Sequence, residues 1–235
     1  MRNDFLIFGS VNSADYNVGI YGDKLFNAPE REYTKYTVPG HDGDLVIDNN
    51  RYKNKNVVYH SYIAKDFPAN MDAFRNALMS QTGYQRLEDT IRPYEFRLGI
   101  VKPFDVEMVG VLKGGTFDLT FECKPQRFLK DGEKVLEYTA NGTILNRTQC
   151  NAKPLIRIYG SSSGTVGIGA ETITISSIST YVDIDCEIMD AFKGYTNCNG
   201  NVSFTDDIIL KPGKNGVTMT GGITKVEIKP RWYIL

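Results

Sequence analysis

Thr116-Phe117-Asp118-Leu119-Thr120-Phe121-Glu122-Cys123-Lys124 alternates apolar with polar side chains. Phe117, Leu119, Phe121 and Cys123 fall on one side, and Asp118, Thr120 and Glu122 on the other. Successive side chains of extended backbone point to opposite faces, so this is a strand with one buried face. Gly114-Gly115 in front of it predicts a turn back to Asp105–Leu112 and a hairpin. Tyr94–Val101, ended by Lys102-Pro103, predicts another strand. Upstream, Lys35–Val38, Asp44–Ile47 and Val57–Ile63 are strand candidates, with Asp48-Asn49-Asn50 read as the polar turn between the last two.

One segment breaks the period of two. Between Pro68 and Gln81, Met71, Phe74, Leu78 and Met79 recur at helical spacing and form one apolar stripe. Pro68 suits a first helical turn, Asp66 an N-cap and Gly83 a stop. After Lys130-Asp131-Gly132-Glu133 the composition turns to Thr, Ser, Gly, Asn and Ile. Short strands are expected at Leu155–Tyr159, Thr172–Ile175, Tyr181–Ile188, Val202–Phe204, Gly216–Thr220 and Lys225–Lys229. Turns are expected at Ser161–Gly164, Asn197–Asn201 and Pro212–Gly216. Regular short strands without helices predict a β-sandwich or jelly roll. The fold class is mainly β, in two parts divided near Gly132.

Composition limits what such a chain does. It has 235 residues, 27 Lys plus Arg against 28 Asp plus Glu, and a net charge of -1, so no basic excess exists to neutralise phosphates. No apolar run is long enough to span a bilayer, and the stretch Phe5–Phe8 is too short for a secretory signal. Folding in the cytoplasm is the expectation, with Cys123, Cys150, Cys186 and Cys198 as thiols and the sequons at Asn141, Asn146 and Asn201 unused. Catalytic chemistry is hard to assemble. His41 sits in a Pro-Gly-rich turn and His60 in a strand, and no nucleophile elbow accompanies either. No zinc spacing occurs. Gly164-Thr-Val-Gly-Ile-Gly169 lacks the helix that would make it a phosphate loop. Asp183, Asp185 and Glu187 would share one face of a strand, a row read as a solvated or docking surface ahead of a calcium site. The 14 Tyr and 12 Phe are read as strand formers and as core or interface residues. No catalytic residue, cofactor or metal is expected.

Several stretches, in order, resemble the distal tail proteins of long, non-contractile-tailed phages and prophages of Gram-positive bacteria. They are Tyr36-Thr-Val-Pro-Gly-His-Asp-Gly43, the helix at 68–81, Phe117–Pro125 running into Gln126–Gly132, Pro154–Gly160, Asp183–Met189, Leu210–Gly216 and Lys229–Tyr233. His41 departs from the Arg more usual in the family's Pro-Gly-x-Asp-Gly turn. The resemblance implies an N-terminal ring-forming domain over 1–133, with one helix and an extended hairpin, and a galectin-like β-sandwich over 134–235. Six copies would close into a ring. That ring, a baseplate hub, would join the tail tube to the tail-tip and receptor-binding apparatus at the distal end of the virion tail, after synthesis in the bacterial host cytoplasm. Implied partners are the chain itself, the tail-tube protein, the tail-tip protein and receptor-binding proteins, with no nucleic acid and no membrane insertion. Residues 134–235 leave no room for the extra carbohydrate module of some relatives, so strong glycan binding is not expected.

The stretch from Arg31 to Ile63 is the candidate ring-forming element, with Tyr33, Tyr36, Tyr52, Tyr59 and Tyr62 as its interface residues. The alternative is that these tyrosines pack within the subunit. Two rival functions stay open: a carbohydrate-binding protein of the phage adhesion device, and a tail-tube protein. An enzyme ranks third.

Overall fold

The structure, a computed structural model, describes residues 4–21, 27–109 and 114–235. It divides into two compact units, Met1–Arg127 together with Leu235, and Phe128–Ile234. The division follows Arg127 and precedes Gly132. Leu235 belongs to the first unit because Arg127 Nη2 donates to its carbonyl at 2.9 Å.

The first unit opens with β1 (Leu6–Phe8), β2 (Val11–Asn12) and β3 (Val18–Tyr21). Then come β4 (Arg31–Thr37), β5 (Asp44–Tyr52), β6 (Lys55–Ile63), the helix α1 (Ala69–Met79), β7 (Gln85–Asp89), β8 (Glu95–Val101), β9 (Glu107–Val109) and β10 (Gly114–Cys123). One antiparallel sheet runs β2-β1-β7-β8-β10-β6-β3. It curls: the Ile20 N–H of β3 donates to the Asp4 carbonyl, just ahead of β1, at 2.8 Å. β10 is its central strand, paired with β6 from Gly115↔Ile63 to Cys123↔Lys55. The alternation of Thr116–Lys124 is realised, with Phe117, Leu119, Phe121 and Cys123 buried on the inner face. α1 lays Met71, Phe74 and Leu78 against that face, and the Phe74 ring lies 6.4 Å from that of Phe117.

Three local expectations need correction. Gly114-Gly115 is not the hairpin turn but part of β10, pairing with Val109 and Met108 of β9. The turn itself, and residues 110–112 of the expected partner strand, lie outside the described residues. Glycine is required at 114 because a Cβ there would sit 2.4 Å from the Ile63 carbonyl oxygen. Asp48-Asn49-Asn50 does not separate two strands; it lies inside β5, and the break between β5 and β6 falls at Lys53-Asn54. A register shift between Arg31 and Tyr33, with Asn50 at φ 55°, lets the polar cluster ride on a bulge. Asp66 does not cap α1 with its side chain; Pro68 occupies the cap, and the Asp66 carbonyl accepts from Asn70 N–H at 3.1 Å.

The second unit contains β11 (Arg127–Leu129, whose first residue belongs to the first unit), β12 (Leu136–Tyr138), β13 (Gly142–Asn146), β14 (Leu155–Ile168), β15 (Glu171–Ile175) and β16 (Thr180–Asp185). It continues with β17 (Asp190–Lys193), β18 (Thr196–Asn197), β19 (Val202–Phe204), β20 (Gly213–Lys229) and β21 (Tyr233–Ile234). β14 and β20 are long partners that bend together, with register shifts between Tyr159 and Gly164. Their first pairing, Leu155–Gly160 with Ile223–Lys229, joins β16, β17 and β12; their second, Gly164–Ile168 with Val217–Gly221, joins β15 and β13. Strands that bend at a bulge can serve two layers of a sandwich. Here Ile156, Ile158, Val226 and Ile228 share one core with Val166, Ile168, Ile173 and Val217. The expected turn at Ser161–Gly164 is therefore the bulge inside β14, and Gly216–Thr220 and Lys225–Lys229 are the two halves of β20. Trp232 packs in the same core. α1 is the only α-helix among the described residues.

Candidate assembly surface

Among the described residues, β4 and β5 pair only with each other, as a two-stranded sheet apart from the curled one. No residue of either strand is fully buried. The cross-strand register puts Thr34 opposite Ile47 and Tyr36 opposite Leu45, so one face carries Thr34, Tyr36, Val38, Leu45 and Ile47. The other face carries Tyr33, Lys35, Thr37, Asp44, Val46 and Asp48. Tyr36, Leu45 and Ile47 are 53%, 56% and 48% exposed. An isolated two-stranded hairpin is marginal in water, and burying each of these half-exposed side chains would contribute on the order of 1 kcal/mol. The arm thus has an apolar face that is half-exposed among the described residues.

The root of the arm is held firmly. Arg31 reaches Asp48 at 2.5 Å and stacks over the Tyr52 ring, Arg51 reaches Glu32 at 2.9 Å, and Lys53 reaches Glu30 at 2.8 Å. Lys55 Nζ donates to the Asn27 carbonyl at 2.8 Å, while Asn27 Nδ2 donates to the Asn56 carbonyl at 2.7 Å.

The five tyrosines do not share one surface. Tyr33 and Tyr36 lie on opposite faces of the arm, and the Tyr52 hydroxyl accepts from Arg31 at its base. Tyr62 lies on the outer side of β6, across Gly19, with its ring 6.1 Å from that of Tyr21. Tyr59 is 2% exposed, stacked edge-on to Phe121 and bonded to Asp89 at 2.8 Å, so it is a core residue and offers nothing to a neighbour. Grouping it with the other tyrosines overlooked alternation, which turns Val57, Tyr59, Ser61 and Ile63 of β6 inward and Tyr62 outward.

The acidic row is corrected too. Asp183 is buried and receives both Nε and Nη2 of Arg157, at 2.6 and 2.9 Å. Asp185 receives both terminal nitrogens of Arg231, at 2.7 and 2.8 Å, which holds its carboxyl below the usual carboxylate range. Glu187 lies past the end of β16, in the turn, and its N–H donates to Asp185. Two carboxylates already bound by arginines form neither an open docking face nor a calcium site. Among the described residues no three His, Cys, Asp or Glu side chains stand together as metal ligands.

The outer side of this sheet has a hollow of about 360 Å³ lined by Leu155, Arg157, Asp183, Phe192 and Glu227. The neighbouring aromatic faces are occupied: Arg157 lies 4.6 Å over Tyr181 and Lys225 4.3 Å over Tyr159. His60 Nδ1 lies 2.5 Å from Asp118 Oδ1, with no serine or cysteine bonded to the ring among the described residues.

No protein-family model and no curated protein sequence matches the chain. Solved structures do. The crystal structure of the Dit protein of phage SPP1, described there as a paradigm of the hub adsorption apparatus in phages infecting Gram-positive bacteria, superposes with a TM-score of 0.76 over 99% of both chains at 14% identity. A chain of the phage P2 baseplate in its activated conformation superposes with a TM-score of 0.50 at 11% identity, over 97% of this chain and 98% of that one. Over nearly its whole length, this chain shares the fold of the SPP1 Dit protein.

Proposed function

We propose that the chain is a structural virion protein, a distal tail subunit whose copies close into a six-membered ring joining the tail tube to the tail-tip and receptor-binding apparatus. The observation that carries this reading is the β4–β5 arm, a hairpin whose apolar face has no partner among the described residues. The full-length likeness to a hub protein supports it. Residues 1–133 would form the ring and 134–235 would face outward. The virion would carry the protein at the distal end of the tail, after synthesis in the bacterial host cytoplasm, with the tail-tube and tail-tip proteins above and below. Tyr33, Tyr36, Tyr52 and Tyr62 remain proposed interface residues. The proposed work is mechanical, without catalysis.

Near-neutral subunits can pack side by side without large net repulsion. A free-standing glycan binder is disfavoured, because Tyr159 and Tyr181 already face cations and Trp232 is buried. Negative-stain microscopy of the purified chain tests the reading. Closed rings are expected; long filaments would indicate a tube protein, and isolated monomers would overturn assembly altogether.

A further inference from the structure

Any ring built by the arm needs a receiving surface, and the first unit offers two outward patches. One surrounds a hollow of about 370 Å³ lined by Tyr21, Asp105, Glu107, Thr116, Phe117 and Asp118. The other is the outer face of β1, β7 and β8. There Ile7, Leu98 and Ile100 point away from the core, with Ile7 and Ile100 at 36% and 38% exposure, and Phe96 lies beneath the Arg86 guanidinium at 3.7 Å. Lys102, paired with Glu122 at 3.4 Å, and Lys124 border it; Lys124 Nζ lies over the Tyr84 ring at 5.3 Å and has no carboxylate partner among the described residues.

Charge separates the two patches. From Tyr36 to Ile47 the arm has no Lys or Arg, and it carries Asp42 and Asp44. Its distal half is therefore apolar and acidic. The first patch would set those groups against the carboxylates of Asp105, Glu107 and Asp118, a repulsive juxtaposition. The second provides apolar side chains among the ion pairs Arg86–Glu88 and Lys102–Glu122, with Lys124 beside them, so it carries no anionic excess. Reach is sufficient: nine residues of β5 extend roughly 30 Å, and three strands are only about 14 Å wide.

We infer that the apolar face of the arm seats on the β1–β7–β8 outer face of a second copy of this chain, with Leu45 and Ile47 against Leu98 and Ile100 and the Asp42–Asp44 tip toward Lys124. This deepens the proposed ring and rests on that reading. The arm springs from the start of β6, and the receiving face lies on other strands, so donor and receiver are different surfaces. Such a contact is heterologous, propagating head to tail until rotation closes it.

Two variants of the full chain test it by light-scattering mass, with thermal melts to check folding. Leu45→Asp spoils the donor, and Ile100→Asp spoils the receiver. Each alone is expected at one chain mass. An equimolar mixture is expected at two chain masses and no more, because one intact donor meets one intact receiver. If Ile100→Asp does not fold, Ile7→Asp on the same face takes its place. A mixture remaining at one chain mass, or a receiver variant keeping the wild-type mass, overturns the assigned face and leaves the ring intact. Leu45→Asp keeping the wild-type mass removes the arm from ring formation, and a monomeric wild type removes the ring itself.

Discussion

Arg31 and Asp48 lock the two strands of the arm together: Nη2 and Nε of the guanidinium lie 2.5 and 2.7 Å from Oδ2 of the carboxylate. Arg31, aided by the N–H of Asn50, holds the Asp48 carboxyl below its ordinary value of 3.8. A depressed carboxyl contributes stability that is present above its unfolded value and lost as pH falls through the folded one. Both groups are exposed, so salt screens the pair and the global effect is small. Asp48→Asn is therefore expected to speed hydrogen exchange of the arm amides while leaving the global unfolding midpoint unchanged. Wild-type arm amides should show the same acceleration below about pH 4. Equal exchange in variant and wild type would contradict this.

Lys55 shifts stability with pH in the same direction, but because its charged form is penalised in the folded state. Burial, then the nearby Arg97 and Arg127, pushes its ammonium down to about 8 from 10.5. The unfolded chain binds the extra proton between those values, so this group makes folding more favourable as pH rises from 8 toward 10.5. Urea midpoints at pH 7.5 and 9.5 should show a gain for the wild type and a smaller gain for Lys55→Met. An identical pH response in both would contradict the burial of this charge.

Tyr59 tests the reassignment from interface to core. Tyr59→Phe keeps the ring against Phe121 and loses the bond to Asp89. A hydrogen bond to a charged group contributes about 1.5–3 kcal/mol. The denaturant midpoint should fall accordingly, with the assembly mass unchanged. A variant that altered the mass while keeping wild-type stability would return Tyr59 to the interface.

The four thiols should divide into two pairs. Burial pushes Cys123 and Cys186 up to about 12, whereas Cys150 and Cys198 are partly exposed. A thiolate-selective reagent at pH 8 should label Cys150 and Cys198 in the native protein and all four in denaturant. Rapid native labelling of Cys123 or Cys186 would contradict the packing described.

Much of this architecture was legible in local pattern. The alternation at Thr116–Lys124 and the stripe Met71–Phe74–Leu78 identify their elements because each reports its own buried face. What local pattern missed depends on partners distant in sequence. Ser161–Gly164 and Asp48–Asn50 have turn composition, but a neighbouring strand shifts register with them and keeps them in a sheet. Asp183 resembled a solvated row because Arg157, its partner, lies 26 residues away. The isolation of the arm was equally hidden: strands beside a core and strands standing free share the same period of two. The structure adds the exposed face of Tyr36, Leu45 and Ile47, the feature on which the proposed assembly rests.

The most direct test replaces residues 31–52 with a short flexible linker and compares light-scattering masses with the wild type. Six chain masses for the wild type, and one for a variant that still melts cooperatively, are predicted. A folded variant that still forms the six-fold assembly would contradict the claim that the arm builds the ring.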